Sequence, residues 1–168
     1  MDPRFSEVAS WEAWKQGFVG TSNVEAGFQY GMNSVGTNSH AMYMAFGSEV
    51  EAIDAWMRVY PNNPMVLVDT FHTLINALKT IGVLNNRGMG STSYRIDSGY
   101  MKLLMELYER ILTANIIESK GRVGTNDLRP ESLAEMLEQK CIANLAGIGT
   151  QLGDVPATPG VLKLSEID

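Results

Sequence analysis

Apolar residues along this chain alternate between two patterns: spacings of three and four, and short uninterrupted runs bounded by Gly, Pro, Ser or Asn. The first pattern marks helices and the second buried strands. Val8, Trp11 and Trp14 predict an opening helix. In GSEVEAIDAWMRVYP, Val50, Ile53, Met57 and Tyr60 share one helical face. Ser48 and Glu51 form a capping-box pair before it, and Pro61 follows it. PMVLVDT reads as a buried strand, and Phe71, Leu74, Ile75, Leu78 and Ile81 as a helix stopped by Gly82. The turn-rich NNRGMGSTS leads into the strand TSYRID. Tyr100, Leu103, Leu104, Leu107, Tyr108 and Ile111 predict a strongly amphipathic helix. GRVGT is a further strand, and Pro130 opens a helix carrying Leu133, Met136 and Leu137. IANLAGIG and VLKL close the series, and GFVG and SVGT add two early strands.

This makes about seven strands separated by helices or loops, the alternation of an α/β protein with a mostly parallel sheet. The expected fold is an irregular, incomplete (β/α) barrel of mostly parallel strands, one short of the usual eight. A helix stands where an opening strand is expected. No linker, low-complexity tract or internal repeat interrupts residues 1–168, so the expectation is a single domain.

Charge narrows the classes of function. Thirteen Lys and Arg against nineteen Asp and Glu give a net charge of −6, which argues against non-specific nucleic-acid binding. The single cysteine, Cys141, cannot form an intrachain disulfide and fits helix-end packing. No apolar run approaches the ~20 residues of a membrane helix, and MDPRF does not read as a signal peptide, so the expected location is the cytoplasm.

Polar residues collect where the strands end. GFVG runs into Thr21, Ser22 and Asn23, and SVG into Thr37 and His40. Asp69 and Thr70 follow one strand, Asp97, Ser98 and Gly99 the next, then Thr125, Asn126 and Asp127, then Thr150. Each could simply cap the following helix. Six such endings point instead to a polar pocket on the carboxyl-terminal face, where barrels build their sites. Arg95 points the same way from its strand as Asp97. Its planar fork suits a carboxylate or phosphate, or an ion pair with Asp97 or Asp69. GIGT at 147–150 is either a tight turn or an anion cradle. On residue chemistry alone His40 is first a satisfied structural histidine. No second His or Cys stands at metal-ligand spacing, and His72 begins a helix as an exposed residue.

The order of motifs adds a resemblance. GFVGTSNVEAGFQYG, VGTNSHAMYMAFGSEVEAIDAWMRVYP, VLVDTFHTL, YRIDSG, TNDL, GIGTQL and VLKLSEI follow one another as in the core of the nicotinate phosphoribosyltransferase family. The resemblance implies an irregular α/β barrel and the joining of nicotinate to phosphoribosyl pyrophosphate, giving nicotinate mononucleotide and pyrophosphate at the cost of ATP hydrolysis. It assigns His40 as the histidine phosphorylated by ATP and Thr37 as a contact to nicotinate. Arg95 would hold the nicotinate carboxylate. Asp97 and Ser98 would face the ribose or its Mg²⁺, and Gly147, Gly149 and Thr150 the 5′-phosphate.

The chain departs from that family at particular positions. Tyr100 stands where the family's DSGD has its last acid, and Gln151 where GTRL has arginine. The family's N-terminal domain, with an aromatic residue that stacks on the base, has no counterpart in these 168 residues. Two readings follow: an NAD-biosynthetic enzyme core, or a catalytically impaired module that binds nucleotide or pairs with a full-length or complementary chain. Either is expected to be a homo-oligomer or to join a chain supplying the N-terminal part.

Overall fold

The computed structural model describes residues 3–62, 64–125, 127–149 and 152. They fall into two compact units, one from the described residues of 1–36 and 148–168 and one from 37–147.

In the first unit, α1 (Pro3–Lys15) and α2 (Val24–Tyr30) meet through the stacked rings of Trp11 and Tyr30, 5.0 Å apart. Asn23 caps α2 by accepting from the Ala26 N–H, and Gly31 ends it at φ 67°, a left-handed conformation in which glycine pays no steric cost. GFVG and SVGT are not strands. They supply one isolated parallel bridge, Thr21 to Ser34, and their valines, Val19 and Val35, are 68 % and 52 % exposed. A short apolar run becomes a strand only when its side chains are buried, and these are not.

The second unit carries α3 (His40–Ala45), α4 (Glu49–Val59), β1 (Met65–Leu67), α5 (Thr73–Asn86), β2 (Ser91–Ile96), α6 (Met101–Ala114), β3 (Glu118–Gly124), α7 (Pro130–Glu138) and β4 (Leu145–Ala146). The four strands form one parallel sheet in the order β1-β2-β3-β4. Sequential order with a helix between consecutive strands is barrel connectivity; a doubly wound sheet would reverse direction. The fold is therefore α/β and consistent with a partial barrel. VLKL lies outside the described residues, and of IANLAGIG only Leu145 and Ala146 pair as a strand.

The core is the layer between sheet and helices: Ile53 and Met57 of α4, Ala77, Ile81 and Leu84 of α5, Met105, Tyr108 and Leu112 of α6, and Val66, Tyr94 and Ile96 from the strands. Burying each large side chain contributes about 1.5–3 kcal/mol. Ala52 and Glu49 join the buried face of α4, while Val50 and Tyr60 are exposed. Gly82 does not stop α5, because Val83 and Leu84 continue its buried face; Gly88, at φ 64°, turns the chain after it. Tyr94 and Tyr108 pack with ring centroids 4.4 Å apart. Among the described residues no helix is long and apolar enough to cross a membrane.

Candidate active site at the strand ends

Register builds the site. Leu67, Arg95, Val123 and Leu145 form one row across the four strands. Two residues beyond that row, just past the four strand ends, stand Asp69, Asp97, Thr125 and Gly147. Asp97 is the centre. Its Oδ1 accepts from Arg95 Nη2 at 2.9 Å and from the Thr125 hydroxyl, and its Oδ2 lies 3.4 Å from His40 Nε2. Burial pushes the Asp97 carboxyl upward, but the hydrogen bonds from Thr125 and Arg95, the Arg95 charge and the His40 contact together hold it below its usual value.

His40 opens α3, whose N-cap Ser39 accepts from the Met42 N–H. Its Nδ1 lies 3.0 Å from Thr70 Oγ1. With Asp97 an acceptor at Nε2, the proton is assigned to Nε2 and the Nδ1 lone pair receives the Thr70 hydroxyl. The imidazole is thus oriented from both sides.

Arg95 spends Nε on Thr125 at 2.7 Å, Nη1 on Thr37 at 2.9 Å and Nη2 on Asp97. Of the five guanidinium N–H groups, two have no partner among the described residues and are free for an anion. The ion pair with Asp97 is the structural alternative that the sequence had left open, and it coexists with ligand capacity. Asp69 Oδ2 accepts from the Asp97 N–H at 2.9 Å and from Ser98 Oγ at 2.6 Å, which holds the next strand end in place. Gly99, at φ 83°, bends the chain into α6.

Of the residues singled out from sequence, Thr37, His40, Arg95, Asp97 and Ser98 come together. Gly147 joins them through Thr125: a Cβ at Gly147 would stand 2.6 Å from Thr125 Cγ2. Gly149 is exposed and belongs to the other compact unit, and Thr150 lies outside the described residues. Asp69, Thr70 and Thr125 complete the site, and only their places at strand ends hinted at it. His72 is, as expected, an exposed N-cap, accepting from the Ile75 N–H on α5. Cys141 follows α7 and packs its Sγ 3.9 Å from Met105 Sδ.

The close approach at Gly147 predicts that Gly147→Ala pushes the Thr125 side chain off Arg95 and Asp97. Overpacking of this kind costs roughly 1–3 kcal/mol, so the melting temperature should fall by about 2–12 °C. A melt superimposable on the wild type would show that Thr125 has room to move.

Fold and site together define a class: a parallel β/α sheet whose carboxyl-terminal mouth holds an oriented histidine beside an arginine–aspartate pair. Comparison with known proteins narrows that class. A nicotinate phosphoribosyltransferase of Mycobacterium tuberculosis is 34 % identical over 157 residues, covering 90 % of this chain and 34 % of its own length. The nicotinate phosphoribosyltransferase of Caenorhabditis elegans is 23 % identical, covering 89 % of this chain and 37 % of its own. The chain is thus similar to nicotinate phosphoribosyltransferases over most of its length and spans about a third of theirs. A crystal structure of nicotinate-nucleotide pyrophosphorylase from Pyrococcus furiosus shares the fold. It has a TM-score of 0.76 and 21 % identity, over 91 % of this chain and 40 % of that one. No protein-family model matches the chain.

Proposed function

We propose that the chain is the barrel core of a nicotinate phosphoribosyltransferase, joining nicotinate to phosphoribosyl pyrophosphate with ATP hydrolysis in NAD biosynthesis. The observation that carries this reading is the oriented histidine, His40, held between Thr70 and Asp97 in a chain similar to those enzymes. Nδ1, once the Thr70 hydroxyl turns away from its lone pair, attacks the γ-phosphorus of ATP. The bond from that phosphorus to the β,γ-bridging oxygen breaks, ADP leaves, and Asp97 steadies the charge that grows on the ring through Nε2–H. Water later cleaves the phosphorus–nitrogen bond and releases phosphate. In the transfer itself the pyridine nitrogen of nicotinate bonds to the anomeric carbon and pyrophosphate leaves. The two spare N–H groups of Arg95, with Thr37, take the nicotinate carboxylate. Asp97 and Ser98 face the ribose, and Gly147 the 5′-phosphate.

A Mg²⁺ ion fits this set in a limited way. No group of three or more His, Cys, Asp and Glu capable of holding a metal occurs among the described residues. Asp69 Oδ1, however, is buried without a hydrogen-bond partner beside Asp97. One or two carboxylates suit an ion bound mainly by phosphate oxygens and water; such an ion would neutralise phosphate charge. Cytoplasmic residence and pairing with a second copy, or with a chain supplying the remaining length, belong to the same reading.

The test is incubation with γ-labelled ATP. Acid-labile, base-stable label is expected on the peptide carrying His40 and none on His40→Asn. An unlabelled wild type that still binds nicotinate mononucleotide would replace the enzyme with a non-catalytic nucleotide-binding module. The Tyr100 hydroxyl, bonded to Gln139 at 3.3 Å where the family has an acid, favours that second reading.

A further inference from the structure

We propose that Asn38 is a positioning residue for His40, anchoring the 37–40 loop to the edge of the sheet and so setting which imidazole nitrogen carries the proton. The proposal deepens the phosphoryl-carrier reading and rests on it for its kinetic consequence alone.

Asparagine is ordinarily a surface residue, and a buried one must find partners for its amide. Asn38 is 2 % exposed. Its Oδ1 accepts from the Leu67 N–H at 2.8 Å, and its Nδ2 donates to the Tyr43 hydroxyl at 2.9 Å. The first bond has a topological reason. Val68 N–H donates across to Arg95 in β2, so the N–H of Leu67, one residue earlier, faces the opposite side of β1. β1 is the end strand of the sheet among the described residues, and no described strand reaches that N–H. The Asn38 amide takes the place a further strand would occupy.

The second bond ties Asn38 to a buried polar chain. Tyr43 is 1 % exposed, and its hydroxyl also meets Asn76. Asn76 donates to Glu49, whose other oxygen pairs with Lys79. Burial pushes the Tyr43 phenol well above its usual value, with the Asn38 bond opposing the shift, so it stays a neutral hydroxyl.

Asn38 is therefore fixed at both ends, and the site residues are its neighbours. Thr37 accepts from Arg95, and His40 follows after Ser39 has capped α3. Without the amide, Leu67 N–H and the Tyr43 hydroxyl lose a partner, and the part-exposed contacts of Thr37 and Ser39 hold the loop alone. The ring of His40 then samples both tautomers.

The chain has two histidines, so ring nitrogen NMR of uniformly labelled protein, without ATP or nucleotide, resolves His40 against exposed His72 as an internal reference. The wild type is expected to show the His40 ring proton on Nε2, facing Asp97. Asn38→Ala should shift both His40 ring nitrogens toward averaged values and leave His72 in place. Labelling of His40 by ATP should slow ~10–100-fold, as expected of a displacement of about 1 Å. Unchanged His40 nitrogens in a folded Asn38→Ala protein would overturn the proposal. If that variant does not fold, Tyr43→Phe decides: it keeps the Leu67 bond and frees one amide N–H. A smaller His40 shift in the same direction supports the proposal, and no shift overturns it. A wild type with the expected tautomer but no phosphoryl label would reject the carrier reading and leave the positioning role of Asn38 intact.

Discussion

On the phosphoryl-carrier reading, Asp97→Asn is expected to reduce phosphorylation of His40 by ~10²–10⁴-fold, the scale of a positioned acid–base group. Asparagine offers its amide N–H₂ or its carbonyl to Nε2, but no charge. The imidazolium-like transition state loses its counter-ion, and Arg95 loses the carboxylate that holds its fork. Thr125, which donates to Asp97 and accepts from Arg95, loses one side of its bridge. The same substitution has a pH signature. Asp97 is held below its usual value in the folded chain despite burial, so the ionised carboxylate stabilises the fold at neutral pH. That contribution is complete above the unfolded carboxylate value of about 4 and disappears as pH falls through the lower folded value. Urea titrations from pH 6 down to pH 2 should show this acid-limb loss in the wild type and a flatter limb in Asp97→Asn. Parallel acid limbs would place the cost of protonation on other carboxylates.

Legibility in the sequence followed burial. TSYRID, PMVLVDT and the helices around Ile53, Ile81 and Leu104 were readable because packing buries a side of each, whereas Phe71, Ile75 and Leu78, read with Ile81 as one helix, are exposed. GFVG and SVGT have the same apolar spelling, yet Val19 and Val35 face outward, and spelling alone cannot report exposure. Gly82 reads as a stop by propensity, but the burial of Val83 and Leu84 outweighs a glycine cost of about 1 kcal/mol. At the site, His40, Arg95 and Asp97 were readable from the polar strand ends and the motif order. The contacts of Asn38 with Leu67 and of Arg95 with Thr37 and Thr125 span 29 to 58 residues. They depend on strand register, which no periodicity in the chain encodes. Asn38 gave no signal of its own, because nothing in its neighbours discloses the sheet edge it satisfies.

Lys79→Met is expected to cost the largest amount of stability among surface-accessible changes. Glu49 presents a side chain 5 % exposed, and its carboxylate is held by Lys79 on one oxygen and Asn76 on the other. Removing one partner of a buried pair leaves an uncompensated charge, typically ~3–5 kcal/mol. Lys79 is itself about a third exposed, so water recovers part of that, and about 2–3 kcal/mol remains. This corresponds to a fall of roughly 4–12 °C in melting temperature. The double variant Glu49→Gln with Lys79→Met should regain more than half of the loss, because glutamine keeps an acceptor for Asn76 and carries no charge to strand. A double-mutant cycle by urea unfolding measures the coupling directly; a Lys79→Met cost below about 0.5 kcal/mol, the scale of an exposed pair, would mean that water serves Glu49 as well as lysine does. The cycle also bears on the site. Glu49 holds Asn76, which meets the Tyr43 hydroxyl that anchors Asn38, so a stranded charge at Glu49 loosens the loop that places His40. Loss of stability and drift of the His40 ring should therefore appear together in Lys79→Met and be relieved together in the double variant.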